Sequence, residues 1–141
     1  MKYAPISAVA LMLLVTGPVL SHHSSFVTYD GTAELTVQGV VSEFAFVSPH
    51  AWFLMDVTND EGQLEEWRVE LAGRESLSRK GWESDTLVAG QAITVVGNPS
   101  RSGRPALWWN RLILDDGTEL IDPRDQEAAV VDEQRRRRRS E

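Results

Sequence analysis

A small all-β barrel with one short helix is the fold this sequence predicts, and three observations predict it. Residues Ala33 to Val57, AELTVQGVVSEFAFVSPHAWFLMDV, read as two long strands meeting at a bend, Ser48-Pro49-His50. Further alternating apolar runs follow, cut by turn residues, and one interval among them, Arg74 to Lys80, has the look of a short helix. The chain has 141 residues, which fits one domain and a tail.

Each element has its own reason. From Ala33, Leu35, Val37, Gly39, Val41 and Glu43 alternate with Glu34, Thr36, Gln38, Val40 and Ser42, the pattern of a long, coiled strand with one face inside a barrel. Gly39 eases the curvature or hosts a bulge. Pro49 cannot donate to a ladder, so it ends the first strand or marks a bulge. A second strand runs from Ala51 to Thr58. Asn59-Asp60-Glu61-Gly62 is a hairpin turn, with Gly62 suited to positive φ. A third strand, Leu64 to Leu71, alternates Trp67, Val69 and Leu71 against Glu66, Arg68 and Glu70. Gly73 closes that run, the helix follows with Leu77 on its buried side, and Gly81 stops it. Trp82 is expected to plug the adjacent barrel end. A fourth strand, Ala92 to Gly97, a loop from Asn98 to Pro105 and a fifth strand, Ala106 to Leu114, complete the set, with Thr118 to Ile121 as an edge piece. Three strands, a helix and two strands is the order of an OB-like five-stranded Greek-key β-barrel. A plain β-sandwich and a six-stranded barrel are the other architectures that this pattern admits.

Met1 to Ser21 reads as a secretory signal peptide. It has Lys2, an apolar run from Ile6 to Val15, the break Gly17-Pro18, and small residues Val19 and Ser21 before a cut. The run is short of the ~20 residues that span a bilayer. Cutting after Ser21 makes His22 the new terminus and the protein a periplasmic one. The expected organisation is a signal over 1–21, a histidine-bearing arm over 22–29, the barrel over 30–121 and a disordered charged tail over 122–141. With no cysteine there is no disulfide and no thiolate ligand or nucleophile. From His22 to Leu120 there are seven Lys/Arg against fifteen Asp/Glu, while residues 121–141 hold six of each. A domain this acidic repels phosphate backbones, so nucleic acid is not expected as a ligand.

The segments HHSSFVTYD, VSEFAFVSPHAWFLMDV, EEWRVELAG, LSRKGWESDTL and AGQAITVVGNPSRSG together resemble a family of small exported bacterial proteins, domain of unknown function 6152. The resemblance covers roughly Ser21 to Leu120. Its members carry a His-His-Ser-Phe-like start, an Asn-Pro-His before an aromatic strand, and an Arg-Arg-Gly-Trp-like helix end. His22, His23 and Ser24 match the first, with Ser25 inserted before Phe26. Ser48-Pro49-His50 has Ser in place of Asn, and Arg79-Lys80-Gly81-Trp82 has one conservative change. The resemblance implies export and this fold, and implies no chemistry.

Chemistry has to come from the residues. There are three histidines, His22, His23 and His50. An N-terminal His22 offers its α-amino nitrogen and its Nδ1 as a chelate, and His50 supplies a third nitrogen, a set that suits copper. Alternatively, His23 at position two binds copper through amine, amide and imidazole without His50. Asp30, Asp56 or Tyr29 are oxygen donors that the sequence does not choose between. The ordinary structural reading is a frayed terminus and a turn histidine. Trp52, Trp67, Trp108 and Trp109 offer a weaker alternative, an aromatic ligand face for a peptide, glycan or protein partner in the envelope. Trp108 and Trp109 are adjacent, so one of them is expected outside the barrel. A copper-dependent oxidase is a third reading, because a three-nitrogen set also activates oxygen. No nucleophile motif, phosphate loop or calcium loop is present, and the paired acidic residues read as solvated surface.

Overall fold

The computed structural model describes residues 27–140, the side chains of 125–132 and 140 apart. The signal segment, His22 and His23 therefore lie outside the described residues. The strands are β1 (Leu35–Ala45), β2 (Trp52–Thr58), β3 (Leu64–Glu70), β4 (Ala92–Pro99), β5 (Ala106–Leu114) and β6 (Glu119–Ile121). One short helix, Arg74–Ser78, lies between β3 and β4, and a longer one, Pro123–Ser140, follows β6. The hydrogen-bonded order is β3-β2-β1-β4-β5-β6, and a parallel β3–β5 pairing closes the first five strands into a barrel. This is a five-stranded Greek-key barrel of the OB type.

Alternation decides what lies inside. Phe53, Met55, Val69, Leu71, Val95, Leu107, Trp109 and Leu112 are fully enclosed, and Leu77 of the short helix and Trp82 close the barrel end. Trp82 meets Trp109 edge-on, with ring centroids 5.3 Å apart, and Phe44 at 6.3 Å. Strict alternation along β1 would carry Glu43 inward. Instead the β1–β2 register shifts between Val41 and Glu43, so Val41 faces Met55, Glu43 pairs with Leu54 and Phe44 pairs with Phe53. One extra residue thus keeps a carboxylate in water and brings an aromatic ring onto the core. Gly39 serves a different purpose, because a Cβ there would collide with Asp56 O of β2.

The last segment departs from the reading as a disordered charged tail, since Pro123–Ser140 is helical. Asp122 Oδ1 accepts the Arg124 N–H at 2.9 Å, and Pro123 occupies the first helical position, a cap followed by the residue that needs no donor there. Gln, Glu, Ala and Arg then sustain the helix by propensity. Among the described residues no helix is long and apolar enough to cross a membrane.

Candidate functional site

The barrel closes along β3 and β5, and its outer surface there collects the polar and aromatic residues that the core rejects. Antiparallel pairing sets Trp52 beside Glu70, and parallel pairing sets Glu70 beside Trp108, so these three form a row across β2, β3 and β5 on the outer side. The inner row one residue away is Phe53, Val69 and Leu107. Pairing continues through Ala51, whose carbonyl accepts the Leu71 N–H at 2.8 Å and whose side chain is buried. His50, the next residue back, is therefore turned to the outer side with Trp52.

The bend that carries His50 is held by the short helix. Arg74 donates its N–H to Val47 O at 3.1 Å, and Ser48 Oγ donates to Glu75 Oε2 at 2.8 Å. That hydroxyl, first among the causes, holds the Glu75 carboxyl below its ordinary range. Gly73 lies so close to Pro49 O that a Cβ would clash with it. The Ser48–Pro49 peptide is cis.

His50 stands edge-on to the Trp108 ring, with centroids 5.1 Å apart. Its Nδ1 lies 4.0 Å from Glu70 Oε2, while Glu70 Oε1 lies 3.7 Å from Arg68 Nε. Tyr29 packs on the same indole, 6.2 Å between centroids, and its backbone bridges to Ser100. Burial, then the Glu70 charge and a hydrogen bond to that carboxylate, push the Tyr29 phenol above its ordinary range, against the nearby Arg68 and Arg104. Tyr29 is thus a neutral donor to Glu70. Arg68 Cζ sits 4.3 Å over the Trp52 ring, a cation–π contact that orders an otherwise mobile guanidinium. Beside these, Tyr29, Arg68, Glu70, Ser100 and Arg104 line an open cleft of ≈ 350 Å³.

Trp108 itself is pinned from behind. Its Nε1 donates to Asp122 Oδ2 at 3.1 Å, Arg124 Nη2 bonds the same oxygen at 2.8 Å, and Arg124 Cζ lies 4.3 Å over the indole. Asp122 is 1% exposed, so its carboxylate depends on these donors.

The sequence-expected residues fall as follows. His50 is at the site, half-buried against Trp108 and facing Glu70. Trp52 is on the outer row beside it, whereas Trp67 pairs with Met55 and packs from the rim onto the core. Trp108 and Trp109 do point to opposite sides of the wall, but neither is an exposed ligand surface. Trp109 fills the core, and Trp108 is covered by Tyr29, His50 and Arg124. Of the oxygen donors, Asp30 is engaged by Thr32 N at 3.0 Å, Thr32 Oγ1 at 2.7 Å and Arg101 at 3.5 Å, and Tyr29 serves Glu70. Asp56 is exposed on β2, paired with Val40 of β1. Among the described residues no three His, Cys, Asp or Glu side chains gather as a metal-ligating group. Glu70, Arg68, Asp122 and Arg124 escaped the sequence reading. For Asp122 a signal was there, an Asp-Pro pair at a helix start.

Residues 10–107 match the model of a family described as a family of unknown function, DUF6152, and the chain belongs to that family. No curated protein matches the chain. Among solved structures it is similar to the mitochondrial single-stranded DNA binding protein Rim1 of S. cerevisiae, at 10% identity and a TM-score of 0.45, over 59% of this chain and 93% of that one. A selenomethionine-labelled crystal structure of that protein gives 12% identity and 0.42, over 64% and 96%. These likenesses concern the fold alone.

Proposed function

We propose that this member of a family without assigned activity is an exported, periplasmic binding protein that takes up a copper-type ion through His22, His23 and His50. The observation that carries the reading is shared footing: His50 and Tyr29, the root of the N-terminal arm, pack on one indole and face one carboxylate. Val27 and Thr28 are helical, and an extended stretch over the five positions from His22 to Phe26 reaches roughly 17–18 Å, enough for the arm to return to His50. The barrel then acts as scaffold. It fixes the bend and sets Nδ1 of His50 4.0 Å from Glu70 Oε2, within charge attraction but longer than a hydrogen bond, so that Nε2 is the nitrogen offered to an ion. The described residues contribute one imidazole, so the remaining nitrogens have to come from the arm.

The test is copper titration of the exported protein by calorimetry with EPR, after mass spectrometry has fixed its N-terminus. One-to-one binding with nitrogen hyperfine structure, weakened at least tenfold in His50→Ala, is the expected result. No binding, or binding indifferent to His50, overturns the bridging site.

A second reading, in which an envelope glycan or peptide binds without metal, has its own observation. The ordered Trp52–Arg68 pair lies on the β2–β3 face. In an OB barrel that face and the loops beside it are where ligands bind.

A further inference from the structure

The cleft beside Tyr29 joins β3 to the loop between β4 and β5, and its charged lining is not used by the histidine site. Arg68 donates its N–H to Pro105 O at 3.0 Å, so β3 and the end of that loop are one backbone hydrogen bond apart. Alternation along β3 turns Arg68 and Glu70 to the outer side and Val69 to the core. Arg104, next to Pro105, lines the same cleft, together with Tyr29, Pro105 and Ala106. Each guanidinium is fixed through its Nε side. Arg68 lies over the Trp52 ring with Nε 3.7 Å from Glu70 Oε1, and Arg104 Nε donates to Ser102 Oγ at 3.2 Å. Ser102 Oγ is in turn 2.9 Å from Ser100 Oγ, and the Gly103 N–H closes the loop on Ser100 O at 3.1 Å. Among the described residues, no terminal nitrogen of Arg68 or Arg104 has a hydrogen-bond partner.

The cleft thus shows both signs of charge. Glu70 takes the Tyr29 phenol as a donor, and its approaches to Arg68 and His50, at 3.7 and 4.0 Å, are longer than hydrogen bonds. A carboxylate accepts at both oxygens, so Glu70 has capacity for a further donor. The two guanidiniums are planar forks of donors that match a carboxylate. A ligand that is only an anion meets Glu70 and the acidic domain around it, with fifteen Asp/Glu against seven Lys/Arg between His22 and Leu120. A ligand that is only a cation meets Arg68 and Arg104. A small zwitterion avoids both penalties, with its carboxylate at the arginines and its ammonium at Glu70. In an α-amino acid these two groups share one carbon, which suits a cation and an anion two positions apart on one strand. The cleft volume of ≈ 350 Å³ fits one small molecule, and Pro105 and Ala106 offer an apolar wall to its side chain.

We propose that this cleft binds a free α-amino acid with an apolar side chain, its carboxylate held by Arg68 and Arg104 and its ammonium by Glu70. The site uses neither His22 nor His23 and does not depend on the copper reading. The experiment is calorimetric titration of the exported protein with L-leucine, with a chelator present throughout so that copper complexes of leucine contribute no heat. Saturable binding with a Kd of about 1 mM or tighter is expected. Leucine amide, which lacks the carboxylate, and N-acetylleucine, which lacks the ammonium, bind about tenfold or more weaker. Arg104→Gln, at an exposed position, weakens leucine by a similar factor. Glu70→Gln still accepts from Tyr29, and it brings leucine and N-acetylleucine within a few-fold of each other. Tryptophan emission and circular dichroism confirm that both variants are folded. No saturable binding of leucine, parent-like affinity in Arg104→Gln, or an unchanged gap between leucine and N-acetylleucine in Glu70→Gln overturns the proposal. Equal binding of N-acetylleucine by the parent, or displacement of leucine by inorganic phosphate at equal concentration, overturns it in favour of a simple anion site.

Discussion

Trp108 and Trp109 are neighbours on β5 and equally hidden, yet they are hidden by opposite means. Trp109 lies in the barrel among Trp82 and the aliphatic core, and its Nε1 is buried with no hydrogen-bond partner among the described residues. Trp108 lies outside the wall under a cover of its own, and its Nε1 is bonded to Asp122. The interior site is held by packing alone, which tolerates one orphaned donor because the ring contributes so much apolar area. The exterior site is held by directional contacts, and directional contacts orient their neighbours. That is why the candidate site formed on Trp108 and not on the larger apolar mass beside it.

The difference can be broken at each end. Trp109→Ala is expected to cost about 3–5 kcal/mol, because it leaves a ring-sized cavity in an interior with little room to collapse. Trp109→Phe costs less, since the lost N–H has no bond among the described residues. Urea denaturation gives both values, and equal losses would contradict the packing account. Asp122→Ala is next, at about 2–3 kcal/mol, the sum of a buried indole N–H left without an acceptor and a lost helix cap. Asp122→Asn should recover part of it, because an amide oxygen still accepts. If Trp108→Phe and Asp122→Ala are fully additive, the two residues are not coupled as the 3.1 Å bond requires.

The smallest effect is sharpest in pH. The folded state holds the Tyr29 phenol neutral, above its ordinary value of 10.0. The unfolded chain ionises near that ordinary value. The stabilisation is therefore complete below pH 10 and declines as pH rises through it, by up to about 1.4 kcal/mol per pH unit. Tyr29→Phe should flatten that alkaline decline. An unchanged alkaline slope in the variant would mean that Tyr29 is not the group responsible.

Local rules alone determined the order of elements: alternation placed the strands, Asn59 to Gly62 the hairpin, Gly81 the helix stop, and Pro49 the bend. They mark short-range constraints that any fold of this chain must obey. Three things needed the tertiary structure. The β1 bulge appears only when Phe53 and Leu54 are present to pair with Phe44 and Glu43, because the alternation of β1 alone favours neither phase. The helix after Asp122 reads from composition as charge in water; the Asp-Pro pair marks a start, and the bonded, enclosed Asp122 carboxylate is what makes it a cap tied to the barrel. Above all, the site depends on a parallel β3–β5 contact between residues distant in sequence, which sets Glu70 beside Trp108 and brings Tyr29 and His50 to both. Histidines and tryptophans can be counted in a sequence, but their shared surroundings are made by barrel closure, and closure is a property of the whole chain.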